Sequence, residues 1–102
     1  METLTGIGGG GTSVVVGRVA KNRLRTTGDI LVTEYTDPQL IEDMSRASAV
    51  VTDIGGVLCH AAIVCREQSI PFVVGTEKAT SWLKTGDFVE VDPMEGTVKL
   101  VE

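Results

Sequence analysis

The chain contains a single histidine, His60, and the residue types around it could support the transfer of a phosphoryl group. Gly55 and Gly56 follow a short β-branched segment, and His60 comes four residues after Gly56, at the start of a predicted helix. Two glycines let the backbone turn sharply and let another molecule approach without a Cβ in the way. This pattern predicts a strand, a tight loop and a helix that begins at the histidine.

The position of His60 favours a neutral, reactive imidazole. The first turn of a helix has unpaired N–H groups and a partial positive charge, and both favour a bound phosphate. The same charge disfavours the protonated ring and leaves a nitrogen available as a nucleophile. Ala61 and the alanine after it keep the surroundings small enough for a bulky donor. We therefore take His60 as the candidate catalytic residue.

The remaining elements predict an α/β fold in which helices pack on a mixed sheet. Asp37 and Pro38 are typical of a helix start, and a second helix is expected over 59–68 with an apolar face of Ala62, Ile63 and Cys65. A short helical turn is expected over 79–84, and 87–92 and 97–101 should form a hairpin. The other predicted strands are 13–20, 29–33, 49–52 and 71–74.

Length and composition fit one soluble domain over 1–102, with residues 1–11 as a glycine-rich N-terminal stretch expected to be flexible. The net charge of −5 argues against nucleic acid as a partner, because no basic run is present to neutralise phosphates. No apolar run is long enough to span a membrane. Two cysteines without a plausible pairing suit a reducing cytoplasm.

Two other interpretations of the site are open from the residues alone. A lone histidine at a helix start is often only a surface or capping residue. Cys59, His60 and Cys65 could instead form a thiol-redox or metal site, but zinc needs four ligands at recurring spacings, and we expect no metal here. The spacing G-x-G-x-x-G within 6–11 precedes a strand and not a helix, so it does not predict a dinucleotide site.

The motif GGVLCHAAIVCRE, followed by SIPFVVGT and GDFVEVDP, resembles the phosphohistidine (swivelling, or mobile) domain of the PEP-utilising enzymes. This family includes pyruvate phosphate dikinase, phosphoenolpyruvate synthase and enzyme I of the sugar phosphotransferase system. The similarity begins near Gly6, continues through SVVVGRVA, DILVTEYTDP and AVVTDIGG, and reaches Val101. It implies a β/β/α swivelling fold with the active histidine at a helix N-terminus.

The resemblance also implies roles for individual residues. His60 would be transiently phosphorylated at Nε2, and Gly55 and Gly56 match the loop glycines of the family. Cys59 matches a small Ser/Cys position beside the phosphate, and Arg66 matches a supporting arginine on the helix. Two departures stand out: Leu58 replaces the threonine of dikinases and enzyme I, and Gly9-Gly10-Gly11-Thr12 replaces an N-terminal Ser-Pro-Gly element.

Such a short chain cannot perform the whole reaction alone, because it has no phosphate-binding P-loop and no carboxylate cluster for Mg²⁺. The resemblance implies a phosphoryl-carrier component of a phosphotransferase or dikinase. Its expected partners are an ATP-binding or other phosphoryl-donor module and a PEP/pyruvate-binding barrel, on separate chains or in a longer parent. We expect no bound cofactor, with Mg²⁺ held by those modules. The alternative is a non-catalytic mobile docking domain of the same fold.

Overall fold

The structure is a computed structural model that describes residues 3–101. Its eight strands form one mixed sheet in the order β1-β8-β7-β3-β4-β5-β6-β2. The strands are β1 (Thr3–Thr5), β2 (Ile7–Gly9), β3 (Val15–Lys21), β4 (Ile30–Thr33), β5 (Ala49–Thr52), β6 (Phe72–Val74), β7 (Phe88–Asp92) and β8 (Thr97–Val101). The expected mixed sheet with helices packed on it is confirmed.

The central strands β3, β4, β5 and β6 run parallel, and β4, β5 and β6 are covered on both faces. Successive side chains of a strand point to opposite faces, so Ile30 and Val32 of β4 enter one core cluster while Leu31 enters the other. All residues of β4, β5 and β6 are buried. Burial of both faces explains why these segments are continuous apolar runs in the sequence.

Three helices follow the parallel strands β4, β5 and β6, one after each strand. After a 3₁₀ turn at Pro38–Leu40 come α1 (Ile41–Arg46), α2 (His60–Gln68) and α3 (Ala79–Trp82). The Asp37 carboxylate accepts a hydrogen bond from the Gln39 N–H, which confirms the predicted cap. α2 begins at His60 with Cys59 as its N-cap, close to the predicted bounds. Ser69 ends it in the left-handed conformation.

The buried face of α2 differs in one respect from the prediction. Ala61, Ala62, Val64 and Cys65 are buried against β5 and β6, whereas Ile63 is 43 % exposed. The prediction that Ile63 belongs to the buried face was wrong. A helix residue three positions after His60 lies on the same side as His60, and this side faces outward.

The described part of the glycine-rich N-terminal stretch contains two short strands, β1 and β2, that the sequence did not predict. β2 pairs antiparallel with β6, and β1 pairs antiparallel with β8. A Cβ on Gly6 would lie 2.3 Å from the Val74 carbonyl oxygen, and one on Gly10 would lie 1.9 Å from that of Ile70. These glycines therefore allow close backbone packing against β6 and the segment just before it, where a side chain would not fit.

Candidate phosphohistidine site

The site lies where two adjacent parallel strands, β4 and β5, end side by side. Each strand ends in a buried threonine, and Thr33 is paired with Thr52. The Thr33 hydroxyl donates to the Tyr35 carbonyl, and the Thr52 hydroxyl donates to the Ile54 carbonyl. These matching bonds turn both chains at the carboxyl edge of the sheet, which is where ligands bind in open α/β sheets.

The loop after β5 needs glycine at its first turn. Gly55 has φ +147°, and a Cβ there would lie 2.8 Å from Cys59 Sγ and 3.2 Å from Val74 Cβ. Gly56 is different, because a Cβ built on it meets nothing within 4 Å. Gly55 therefore serves the fold of the loop, whereas Gly56 leaves open space beside it.

His60 is the first residue of α2 and is half-buried. Its Nδ1 lies 2.8 Å from the hydroxyl oxygen of Thr36, which is itself buried. Within residues 3–101, no hydrogen bond is made to Nε2. The ring is therefore fixed through one nitrogen, and the other is available to react.

The start of α2 also offers backbone donors. The first intrahelical bond runs from the Ile63 N–H to the Cys59 carbonyl. The N–H groups of His60, Ala61 and Ala62 precede this bond and donate to no acceptor in the described part of the chain. Free N–H groups at a helix N-terminus are a suitable environment for a phosphate.

Arg66 is exposed, and one of its donors supports the loop. Its Nη1 donates to the Val57 carbonyl at 2.6 Å, and its guanidinium lies 5.2 Å from the centre of the Phe72 ring. The Val57 carbonyl belongs to the loop that precedes His60. This geometry is that of a positioning residue, because Arg66 holds the backbone that leads into the helix.

A second loop, which follows β6, is hydrogen-bonded to the backbone that leads into the site. The Thr76 N–H and hydroxyl both donate to the Thr52 carbonyl, and the Glu77 N–H donates to the Asp53 carbonyl. The Asp53 carboxylate in turn accepts hydrogen bonds from the backbone N–H and the hydroxyl of Thr80, at the start of α3. The backbone just before Gly55 is thus held by two neighbouring elements.

The two cysteines do not form a reactive pair. Cys65 is buried, and burial together with the neighbouring Cys59 raises the pKa of its thiol to about 12. A thiol with such a pKa is protonated at neutral pH and is a poor nucleophile or metal ligand. No group of three or more His, Cys, Asp or Glu side chains is placed to hold a metal ion within the range 3–101.

The structure brings most of the predicted site residues together. Gly55, Gly56, Cys59 and Ala61 surround the loop and helix start at His60, and Arg66 contacts the same loop. Thr36 was not predicted from the sequence. The sequence did contain a signal for it. Thr36 comes three residues after Thr33, which ends β4, and the adjacent strand β5 also ends in a threonine, Thr52.

Comparison with known proteins agrees with this geometry. The family described as "PEP-utilising enzyme, mobile domain" matches residues 25–96. The phosphoenolpyruvate synthase of Pyrococcus furiosus is 50 % identical over 93 residues, which cover 91 % of this chain and 11 % of the relative. An NMR solution structure of Enzyme I has a TM-score of 0.65 and 33 % identity, covering 74 % of this chain and 32 % of that one.

The chain belongs to the family of mobile domains of PEP-utilising enzymes. It spans about a ninth of the length of the curated relative from Pyrococcus furiosus (11 %), so it corresponds to one module of a larger enzyme. Aconitase X from Thermococcus kodakaraensis has a TM-score of 0.78 over the whole of both chains at 20 % identity, which shows a shared fold alone. Among residues 3–101, no helix is long and apolar enough to cross a membrane.

Proposed function

We propose that this chain is a phosphoryl carrier in which Nε2 of His60 accepts a phosphoryl group from one partner module and passes it to another. The observation that supports the proposal best is the asymmetry of the ring: Nδ1 is held by Thr36, while Nε2 has no hydrogen bond from residues 3–101. A ring held in this way presents one nitrogen in a fixed direction, as an in-line displacement requires.

The reaction needs the tautomer with its proton on Nδ1. In that tautomer the Nδ1–H donates to the Thr36 hydroxyl oxygen, and Nε2 carries the lone pair. The lone pair of Nε2 forms the N–P bond, the P–O bond to the donor breaks, and its electron pair leaves with the donor oxygen. The proton stays on Nδ1, where the Thr36 oxygen stabilises the more positive ring. Onward transfer reverses these steps.

The start of α2 would hold the transferred group. The free N–H groups of His60, Ala61 and Ala62 and the open space at Gly56 are on the same loop and helix start. Partial positive charge at a helix N-terminus stabilises a dianion.

Because the chain lacks a nucleotide-binding loop, the donor and acceptor chemistry belongs to partner modules: an ATP-binding or other donor module and a PEP/pyruvate-binding barrel. Mg²⁺ would be held by those modules, and the proposed role is that of a cytoplasmic protein.

Labelling of the histidine tests the proposal. The chain is incubated with radiolabelled phosphoenolpyruvate in a chimera, in which it replaces the matching segment of the Pyrococcus furiosus enzyme. The expected result is an acid-labile, alkali-stable phosphate on the wild type and none on His60→Ala. Equal labelling of both would overturn the carrier role. Normal turnover of the His60→Ala chimera would favour the alternative, a non-catalytic docking domain.

A further inference from the structure

The first strand, β1, has one edge that pairs with no other strand in the described part of the chain. Its other edge pairs antiparallel with β8. Just beyond β1, the Gly6 N–H donates to the Gly96 carbonyl at 2.9 Å. Because bonded pairs alternate along an antiparallel ladder, Leu4 makes the next bonds to β8. The N–H and C=O groups of Thr3 and Thr5 therefore point away from β8, and residues 3–101 offer them no backbone partner.

A polar groove of about 280 Å³ lies beside this free edge. β1 forms one wall of the groove, and the loop 75–78 that follows β6 forms the other. None of these residues belongs to the loop 53–59 or to α2, so the groove is separate from the phosphohistidine site. Its volume is at the lower limit of small-molecule pockets, which is roughly 300 Å³. A groove of this size beside a strand edge suits a short extended peptide better than a cofactor.

The loop 75–78 does not extend the sheet to β1. β6 pairs with β2 as far as Val74, which is opposite Ile7, and the chain then leaves the sheet. Gly75 has φ +73° and Glu77 has φ +77°, so both lie in the left-handed region. This conformation is strained for a glutamate, and it is held by a bond from the Glu77 N–H to the Asp53 carbonyl at 2.8 Å. The fold therefore maintains the gap between the loop and the free edge.

We propose that this groove binds a connecting segment of the larger enzyme as an added strand on β1. This role rests on the function proposed above, in which the chain works together with partner modules. Every second residue of an extended segment presents its N–H and C=O to the same side, which is the spacing of the free groups of Thr3 and Thr5. An unpaired strand edge is a template for this kind of pairing.

The position of the groove favours a connecting segment over a separate partner. Thr3 of β1 is opposite Lys99 of β8, so the first and last described strands lie side by side next to the groove. The match covers 11 % of the Pyrococcus furiosus relative, and the segments that join the rest of that enzyme to this module lead to the same edge.

The small number of bonds also favours a tethered occupant. A strand of three residues makes few main-chain bonds, and the net contribution of each is small, so a free peptide would bind weakly. A tethered segment has an effective concentration on the order of millimolar and needs no higher affinity. A second copy of this chain is the competing occupant.

Hydrogen exchange at single amides tests the proposal without any substitution. The isolated chain is compared with the chimera described above, by mass spectrometry with fragmentation to single residues. In the isolated chain the Thr5 amide should exchange freely, while that of Leu4, which is bonded to β8, should be slow. In the chimera the Thr5 amide is expected to slow by about tenfold or more, because it then donates to the connecting segment.

Equally fast exchange of the Thr5 amide in both proteins overturns the proposal. Protection in the isolated chain that accompanies a dimer assigns the groove to a second copy and also overturns it. Labelling of His60 by phosphoenolpyruvate is measured on the same chimera. Absence of that label counts against the carrier function, whereas the amides report the groove.

A matched pair of substitutions tests whether the free edge itself makes the contact. Proline has no N–H and is tolerated on an edge strand where the N–H faces outward, so Thr5→Pro removes the donor and keeps β1. Thr5→Val changes the side chain and keeps the donor. In the chimera, Thr5→Pro should expose the connecting segment to exchange, and Thr5→Val should leave it as protected as in the wild type.

Equal exposure of the connecting segment in both variants, or in neither, overturns the proposal. The Val98 amide reports whether the ladder is intact, because Val98 is paired with Leu4. Its slow exchange should persist in both variants. If the proline variant loses this protection, the comparison of the wild-type proteins decides the question alone.

Discussion

Thr36 Oγ1 lies 2.8 Å from His60 Nδ1; Thr36 is in the loop after β4, and His60 begins the helix that follows the adjacent parallel strand β5. The bond joins the end of β4 to the start of α2 at the carboxyl edge of the sheet. It decides which ring nitrogen is held and which is available. The orientation of the histidine therefore depends on a buried hydroxyl 24 residues away in the sequence.

Thr36→Val should slow phosphorylation of His60 without unfolding the chain. The valine keeps the shape of threonine but removes the oxygen that accepts the hydrogen bond from Nδ1–H. We expect the labelling rate to fall about 10- to 100-fold, as with other groups that orient a reacting ligand. The measurement is the rate of labelling by phosphoramidate, which reports the histidine without a partner.

Thr36→Ser is the control for this change. It restores the hydroxyl in the same place, so its rate should recover most of the loss. If serine and valine variants were equally slow, the effect would come from packing and the hydrogen bond would not be its cause.

Gly55→Ala and Gly56→Ala should differ sharply in stability. Gly55 has φ +147° and no room for a Cβ beside Cys59 Sγ, whereas a Cβ on Gly56 meets nothing within 4 Å. We expect Gly55→Ala to lower the free energy of unfolding by about 1–3 kcal/mol, the usual cost of a strained backbone conformation. Gly56→Ala should remain within about 0.5 kcal/mol of the wild type. Urea unfolding measures both, and equal losses would mean that the loop has another conformation.

Arg66 is expected to act through the loop and not through the phosphate. Arg66→Ala removes the bond to the Val57 carbonyl and the contact with the Phe72 ring. The free energy of unfolding should fall by about 1 kcal/mol. Labelling by phosphoramidate should fall less than about tenfold, because loss of a direct phosphate contact costs more. A loss of 100-fold or more at unchanged stability would place Arg66 on the phosphate.

Asp43 is the buried carboxylate that ties the loop after β3 to α1. It accepts a hydrogen bond from the Leu24 N–H at 2.9 Å and forms ion pairs with Arg23 and Arg46, both at 3.0 Å. The Leu24 bond, followed by the two arginines, lowers the pKa of this carboxyl below its ordinary value of 3.8, although burial opposes the shift. The ionised form is therefore the one that stabilises the fold.

This shift predicts how stability depends on pH. Since the folded pKa is lower than the unfolded one, the stabilisation is complete above the unfolded value and is lost as the pH falls through the folded pKa. Asp43→Asn should be less stable than the wild type at pH 7, and its stability should change less between about pH 5 and pH 2. Glu42→Gln, an exposed change on the same helix, should keep the wild-type profile. A wild-type profile for Asp43→Asn would contradict the role of this carboxylate.

Much of this arrangement could be predicted from the sequence, because it follows from patterns of a few neighbouring residues. Asp37-Pro38 predicted a helix start, and the apolar run 49–52 before Gly55 and Gly56 predicted a buried strand leading to a loop. The mixed sheet followed from the order of these elements. Such signals act over a few residues and are visible without the fold.

The features that were missed depend on contacts between distant segments. The contact of Thr36 with His60 cannot be predicted without knowing that β4 and β5 are adjacent in the sheet. The strand β2 was not predicted because its two glycines are explained only by the closeness of β6 and of the turn before β8. Ile63 was assigned to the core from helical periodicity, but the side of α2 that carries His60 faces outward.

The position of the phosphate on the imidazole tests the central claim most directly. The chain is labelled with ¹⁵N-histidine and phosphorylated with phosphoramidate, and the nitrogen bonded to phosphorus is identified by ¹H–¹⁵N–³¹P NMR. We predict a single phosphohistidine with the N–P bond at Nε2 and the proton on Nδ1. Phosphorus on Nδ1, the nitrogen held by Thr36, or a histidine that stays unmodified, would contradict the account.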